Sequence, residues 1–210
     1  MRMPPVGGRV RIVGVGSLVP VKRWDLLLRV AAELKRRQCT CLIQIAGDGW
    51  LRGHLEQQAR ELGVTDSFEF LGYRENIAEL LVHASFLVHV SDSEGCPNVV
   101  MEAMACGRAV VATDAGDIPS LIAHGKTGFV VPRGDEVACL ARMMTLITDQ
   151  DLCRRMGEAG RVQAERQFGL KRLVADTLAA YCAMGCATVN SEFTLQTIKP
   201  LKTIIDRSDV

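Results

Sequence analysis

Two observations predict an α/β fold, a doubly wound, Rossmann-like parallel sheet with a C-terminal helical segment. Strand-length apolar runs alternate with stretches of helical period along most of the chain, which is the order of successive βαβ units. The runs are apolar almost throughout, as in Ala109-Val110-Val111-Ala112, which fits strands covered by helices on both faces. At 210 residues, 48% of them apolar, the chain can build one well-buried domain with an appendage.

Val10 to Val15 reads as the first strand, and Trp24 to Arg37 as an amphipathic helix with Leu26, Leu27, Val30, Ala31 and Leu34 facing inward. Thr40 to Ala46 is the next strand and Trp50 to Leu62 the next helix; Phe68 to Leu71 and Asn76 to Ala84 repeat the unit. Phe86 to Val90 precedes a helix from Asn98, because proline is tolerated in a first turn and asparagine is a good N-cap. Ala109 to Thr113 is followed by a short helix near Ile118. Gly128 to Val131 leads into helices from Asp135, after a hairpin-like turn at Gly125 to Asp135 with the aspartate as cap. Beyond Tyr181 the pattern weakens: Gly185 interrupts the last helix, and Thr188 to Val210 is polar. The expected organisation is a linker-like leader (1–9), a Rossmann-like domain (10–181) and a loosely ordered tail (182–210).

Charge excludes one class of partner. With 25 Lys+Arg against 24 Asp+Glu the net charge is +1, and 5% of residues are aromatic, so neither a basic face nor a stacking platform for nucleic acid is expected. The 8 cysteines form no C-x-x-C pair, and none of the 4 histidines completes a zinc-like spacing with them, so no metal site is expected. Cys41, Cys106, Cys139 and Cys153 fall at apolar positions, where a free thiol behaves as a small hydrophobe, and the reading is a reducing, cytoplasmic compartment. No apolar run is long enough to span a membrane, and no signal peptide is expected.

Glu94 and Glu102 frame the most informative stretch, Ser91-Asp92-Ser93-Glu94-Gly95-Cys96-Pro97-Asn98-Val99-Val100-Met101-Glu102. Glu94 lies in a strand-to-helix loop, and Glu102 lies about one turn into the helix on the face of Asn98. The first amides of that helix lack internal partners and carry the positive end of its dipole, which suits a diphosphate. A carboxylate one turn below could reach a ribose, and one in the loop a sugar. His89, by contrast, reads as a satisfied core histidine on an apolar strand. A second candidate loop, Gly14-Val15-Gly16-Ser17-Leu18-Val19-Pro20-Val21-Lys22-Arg23, follows the first strand, on the edge where α/β sheets bind ligands. Its two cations oppose the helix dipole, a local cost that an anionic ligand between them would remove. Gly47-Asp48-Gly49 reads as a structural turn.

The run from Ser93 to Gly116 closely resembles the donor-site signature of the family-four (group 1) retaining glycosyltransferases of the GT-B fold, and the likeness extends over about residues 10 to 181. The resemblance implies that this is the C-terminal, donor-binding half of such an enzyme, which moves a sugar from a nucleotide diphosphate sugar, UDP- or GDP-linked, to an acceptor. It implies catalytic roles for Lys22, as the phosphate-binding lysine helped by Arg23, and for Glu94 at the sugar. Gly16 and the backbone of Gly95, Cys96, Pro97, Asn98 and Val99 would line the donor, Glu102 would hold the ribose, and Tyr73 and Arg74 would meet the base. No cofactor or metal is implied, because Lys22 and the helix amides would neutralise the departing diphosphate. The implied partner is an N-terminal acceptor domain or a partner subunit, and the full-length enzyme could sit peripherally at a membrane.

Three positions depart from the family pattern: Ser17 stands where an arginine is usual, Asp117 where a second glycine is usual, and Ser120 where a glutamate is usual. They keep open an alternative, a non-catalytic sugar-nucleotide-binding module or subunit. A GT-B sugar-nucleotide epimerase is a weaker rival, since the Glu94/Glu102 block resembles transferases far better.

Overall fold

The computed structural model describes residues 9–169 together with Arg172 and Ala179. Residues 1–8 of the leader and all of the 182–210 tail lie outside the described residues, as does most of 170–181. The chain divides into two compact units, Met1–Glu165 and Arg166–Val210, and the sheet belongs to the first.

β1 (Val10–Val15), β2 (Cys41–Ala46), β3 (Phe68–Gly72), β4 (Phe86–His89), β5 (Ala109–Thr113) and β6 (Gly128–Val131) form one sheet in the order β3-β2-β1-β4-β5-β6. Every neighbouring pair is parallel. The crossovers run outward from β1 in one direction and from β4 in the other. With right-handed crossovers, that puts their helices on opposite faces. α1 (Trp24–Arg36) accordingly packs beside α2 (Arg52–Glu61) and α6 (Glu136–Thr148), while α4 (Asn98–Ala105) packs beside α3 (Ile77–Val82) and α5 (Ile118–Leu121). α7 (Gln150–Gln167) follows α6 after a short break. The doubly wound sheet expected from the sequence is present.

The inward residues of α1 are buried as expected, joined by Trp24 and Leu28. Each fully buried leucine there contributes roughly 1.5–3 kcal/mol relative to exposure. β5 is buried at every position, which explains its unbroken apolar sequence. Asp135 caps α6 as expected, accepting from Ala138 N at 2.8 Å, and Asn76 caps α3 by accepting from Glu79 N at 3.0 Å.

Two expectations need correcting. Asn98 is not the cap of α4: Pro97 holds that place with extended backbone, its carbonyl accepts from Val100 N at 3.1 Å, and Asn98 is the first helical residue. The ring of Pro97 fixes φ at −74°, and its ψ of 107° turns the chain into the helix without a side-chain cap. The turn at Gly125 is not a hairpin between antiparallel strands. Gly125 N bonds to Gly128 O at 2.8 Å, and β6 then runs parallel to β5.

Candidate functional site

Since β1 and β4 are neighbours whose chains leave in opposite directions, the loops after them face each other at the carboxyl edge of the sheet, the switch point at which such folds form a ligand crevice. Lys22 ends a single 3-10 turn, Pro20–Lys22, in the first of these loops, and Glu94 lies in the second. The Lys22 ammonium donates to Glu94 Oε1. The same oxygen lies 2.9 Å from Nε2 of His89, the last residue of β4. Exposure rises along the line, from 2% at His89 through 11% at Glu94 to 21% at Lys22, so the histidine is the floor and the lysine the mouth. The hydrogen bond from His89 above all, then that from Lys22, holds the Glu94 carboxyl down to about 2 against the upward push of burial.

The crevice is held by bonds between loops. Asp92 N donates to Val21 O at 2.9 Å, and Ser91 Oγ lies 3.0 Å from the same carbonyl. Arg23 adopts a left-handed conformation at the start of α1, and its guanidinium reaches both Asp92 oxygens at 3.1 Å and Asp25 at 3.2 Å. The local cost of cations at a helix start is thus offset by acidic neighbours. Thr113 at the end of β5 accepts from Ser91 N at 2.9 Å and donates to Ser91 O at 2.6 Å. Gly116, with φ of 55°, supports the Glu94 loop from below: a Cβ there would sit 2.2 Å from the Glu94 carbonyl oxygen. Asp117 N donates to Gly95 O at 3.0 Å, so that substituted position still serves the loop through its backbone.

Gly95, Cys96 and Asn98 are exposed at the start of α4, Val99 is half-buried and Pro97 is buried. Glu102 is exposed on the next turn, on the face of Asn98, and among the described residues its side chain makes no hydrogen bond. Along the rim, Gly16 N donates to Ala46 O at 3.0 Å and Gly47 N to Gly72 O at 2.9 Å, lining up the ends of β1, β2 and β3. Gly47 has φ of 145° and lies against the Gly16 carbonyl with no space for a side chain, the structural turn expected of Gly47-Asp48-Gly49. Tyr73 is 74% exposed. Arg74 lines a groove with Arg11, Gln44, Asn76, Glu79 and His83. Ser17 is exposed, and its carbonyl accepts from the Trp24 indole at 3.0 Å.

The structure therefore brings together Lys22, Glu94 and the start of α4, and places Arg23 in a carboxylate clamp beside them. Sequence reasoning missed His89, which is buried as a core residue and bonded to Glu94 as well. Its place at the last position of a strand, on the ligand edge, was the signal. Of the cysteines, Cys41, Cys139 and Cys153 are buried, with burial pushing their thiols up to about 11, about 12 and about 12; Cys96 is exposed, and Cys106 is half-buried at the end of α4.

Residues 4–163 match the family model described as "Glycosyl transferases group 1". The chain is 30% identical over 170 residues to an N-acetyl-alpha-D-glucosaminyl L-malate synthase of Bacillus anthracis, covering 81% of this chain and 44% of that protein. It is 35% identical over 167 residues to a GDP-mannose-dependent alpha-(1-6)-phosphatidylinositol monomannoside mannosyltransferase of Mycolicibacterium smegmatis, covering 74% and 43%. Among solved structures, HepE of Anabaena in complex with UDP-glucose is similar with a TM-score of 0.74 and 26% identity, over 83% of this chain and 50% of that one. TarM of S. aureus shares the fold at a TM-score of 0.78 and 22% identity, over 85% and 37%. The chain thus spans less than half the length of these two curated relatives.

Proposed function

The chain belongs to the group 1 glycosyl transferases, and on that premise we propose that it is the donor-binding half of a retaining enzyme that moves a sugar from a UDP- or GDP-linked donor to an acceptor. The observation that carries this reading is the Lys22–Glu94 pair at the crevice between the β1 and β4 loops, beside the start of α4. An ammonium beside Glu94 and the unpaired amides at the start of the helix that follows would suit the charge that develops on a departing diphosphate, and that kind of stabilisation is usually the largest catalytic contribution. Lys22 and the amides of Asn98 and Val99 would take the diphosphate, so no resident cofactor or metal is part of the proposal. Glu94 and the backbone at Gly95, Cys96 and Pro97 would hold the sugar, Glu102 the ribose, and Tyr73 with Arg74 the base. Two relatives support the donor class by name, one GDP-mannose-dependent and one solved with UDP-glucose.

Transfer also needs an acceptor oxygen held in a near-attack position, which can be worth several kcal/mol of barrier. The relatives are more than twice as long as the stretch matched here, so an acceptor-binding half, in the same protein or a partner subunit, belongs to the proposal. No helix among the described residues is long and apolar enough to cross a membrane. A cytoplasmic enzyme, peripheral at the membrane where its acceptor requires it, is the corresponding location.

Calorimetric titration with UDP, GDP and ADP tests the site: one of these should bind, and its sugar-linked form should bind too. Silence with all of them would end the donor-site reading. Transfer should appear when an acceptor half is supplied; tight donor binding with no transfer in its presence would favour the non-catalytic module instead.

A further inference from the structure

His89 is buried at the carboxyl end of β4 and has no part in the donor contacts set out above. Its Nε2 lies 2.9 Å from Glu94 Oε1, while its Nδ1 is buried without a hydrogen-bond partner. With Nε2–H donating to the carboxylate, Nδ1 is a bare acceptor in the neutral ring and an N–H in the charged one. An unpartnered Nδ1 is costly either way, so the charges around the ring decide its state.

Those charges are few among the described residues. Glu94, from the β4–α4 loop, is in bonding contact, and Lys22, from the 3-10 turn after β1, arrives through the same oxygen. Ala112 is the register partner on β5, and Thr113 meets His89 only at its backbone carbonyl. α4 buries Val100, Ala103 and Met104. On the adjoining loops Arg23 is bonded to Asp92 and Asp25, and Arg133 to Asp114.

Building on the donor-binding reading, we infer that His89 is a positioning residue that aims Glu94 at the sugar and takes up one proton when a sugar nucleotide draws Lys22 away. In the structure the Glu94 anion is balanced by Lys22. A diphosphate claims that ammonium and leaves a carboxylate that is only 11% exposed without its cation. A buried charge that loses its partner is expensive, and the nearest titratable group is the imidazole. A proton from solvent enters at Nδ1, the Nε2–H bond to Oε1 is kept, and the carboxylate stays ionised as an acceptor for sugar hydroxyls. The ring thus replaces the cation that the ligand removes.

The test is calorimetric titration of the 210-residue chain with UDP-glucose and with GDP-mannose, whose phosphates do not titrate near neutral pH, in buffers of different ionisation heat. Binding should take up protons from solution, and affinity should weaken as pH rises from neutrality, by up to about tenfold per pH unit. H89Q keeps an amide N–H for Glu94 but cannot take a proton, so it should bind without uptake and with an affinity that ignores pH. H89L loses both functions and should bind the sugar nucleotide more weakly than H89Q. Binding by the parent without proton uptake, or equal uptake by H89Q, would overturn the inference and leave the donor site standing. H89L binding as tightly as the parent would overturn it too. If H89L does not fold, the comparison of the parent with H89Q still decides. Failure of both sugar nucleotides and the free diphosphates to bind would remove the donor site and this inference together.

Discussion

Lys22 and Glu94 are 72 positions apart in the sequence and are each other's ion-pair partner at the mouth of the crevice. The ammonium proposed to meet the diphosphate and the carboxylate proposed to meet the sugar are therefore in contact before any ligand arrives. Binding and the release of this pair are one event, and the affinity measured for a diphosphate is net of the bond it replaces. Pairs that are partly buried and hydrogen-bonded cost more to separate than exposed ones.

Glu94→Gln should separate the two tasks. With the carboxylate gone the Lys22 ammonium is free, so UDP or GDP should bind several-fold more tightly, while the sugar-linked donor should bind more weakly. Titration of both ligands against the same variant checks this. Parallel losses would mean that Glu94 only holds the loop.

Glu102→Ala should weaken nucleotide binding roughly tenfold or more, since a hydrogen bond to a carboxylate is worth about 1.5–3 kcal/mol. Glu102 is exposed and outside the core, so the thermal midpoint should stay close to that of the parent. Unchanged affinity would move the ribose elsewhere.

Lys22→Ala should reduce affinity for the diphosphate far more than for the nucleoside. For the parent, affinity for the diphosphate should fall as salt is raised, because the Lys22 side chain is 21% exposed and open to screening. Equal losses for nucleoside and diphosphate would indicate a folding defect.

Acid should expose the Glu94 cluster. Its carboxyl is held at about 2 in the folded chain against an ordinary 4.5, so its contribution to stability is complete above about 4.5 and is lost as pH falls towards 2. Urea unfolding between those limits should show the parent losing more stability than Glu94→Gln. Identical slopes for the two proteins would show that the carboxyl titrates normally.

Gly116→Ala should destabilise the fold by about 1–3 kcal/mol and weaken sugar-nucleotide binding, because φ is 55° and the new methyl meets the Glu94 carbonyl oxygen. The added methyl would push the Glu94 loop out of place before it disturbed the sheet. Wild-type affinity in this variant would mean that the loop adapts.

The order of elements was legible because each strand is a short apolar run and each helix a separate periodic stretch. The buried face of α1 followed from spacing alone, since Leu26, Leu27, Val30, Ala31 and Leu34 recur at helical intervals. The loop and helix positions of Glu94 and Glu102 were also readable. Their pairing was not: the Lys22–Glu94 bond depends on β1 and β4 being neighbours, a long-range fact that no local pattern carries. His89 is the core residue its apolar strand suggested, but its bond to Glu94 could not be read, because apolar surroundings in sequence look the same whether a buried ring is satisfied by the core or by a carboxylate. Pro97 took the cap from Asn98 because its fixed ring already turns the chain into α4.

β1 and β2 are in register at six residue pairs, from Val10↔Cys41 to Val15↔Ala46, whereas β1 and β4 are in register at two, Ile12↔Phe86 and Val13↔Leu87. The sheet therefore has a short seam down its middle, with the Lys22 loop on one bank and the Glu94 loop with α4 on the other. A ligand gripped from both banks works as a suture across that seam. Its grip resists any motion that hinges one set of three strands away from the other, and the backbone amides beside the seam are where slowed hydrogen exchange would record the stitch.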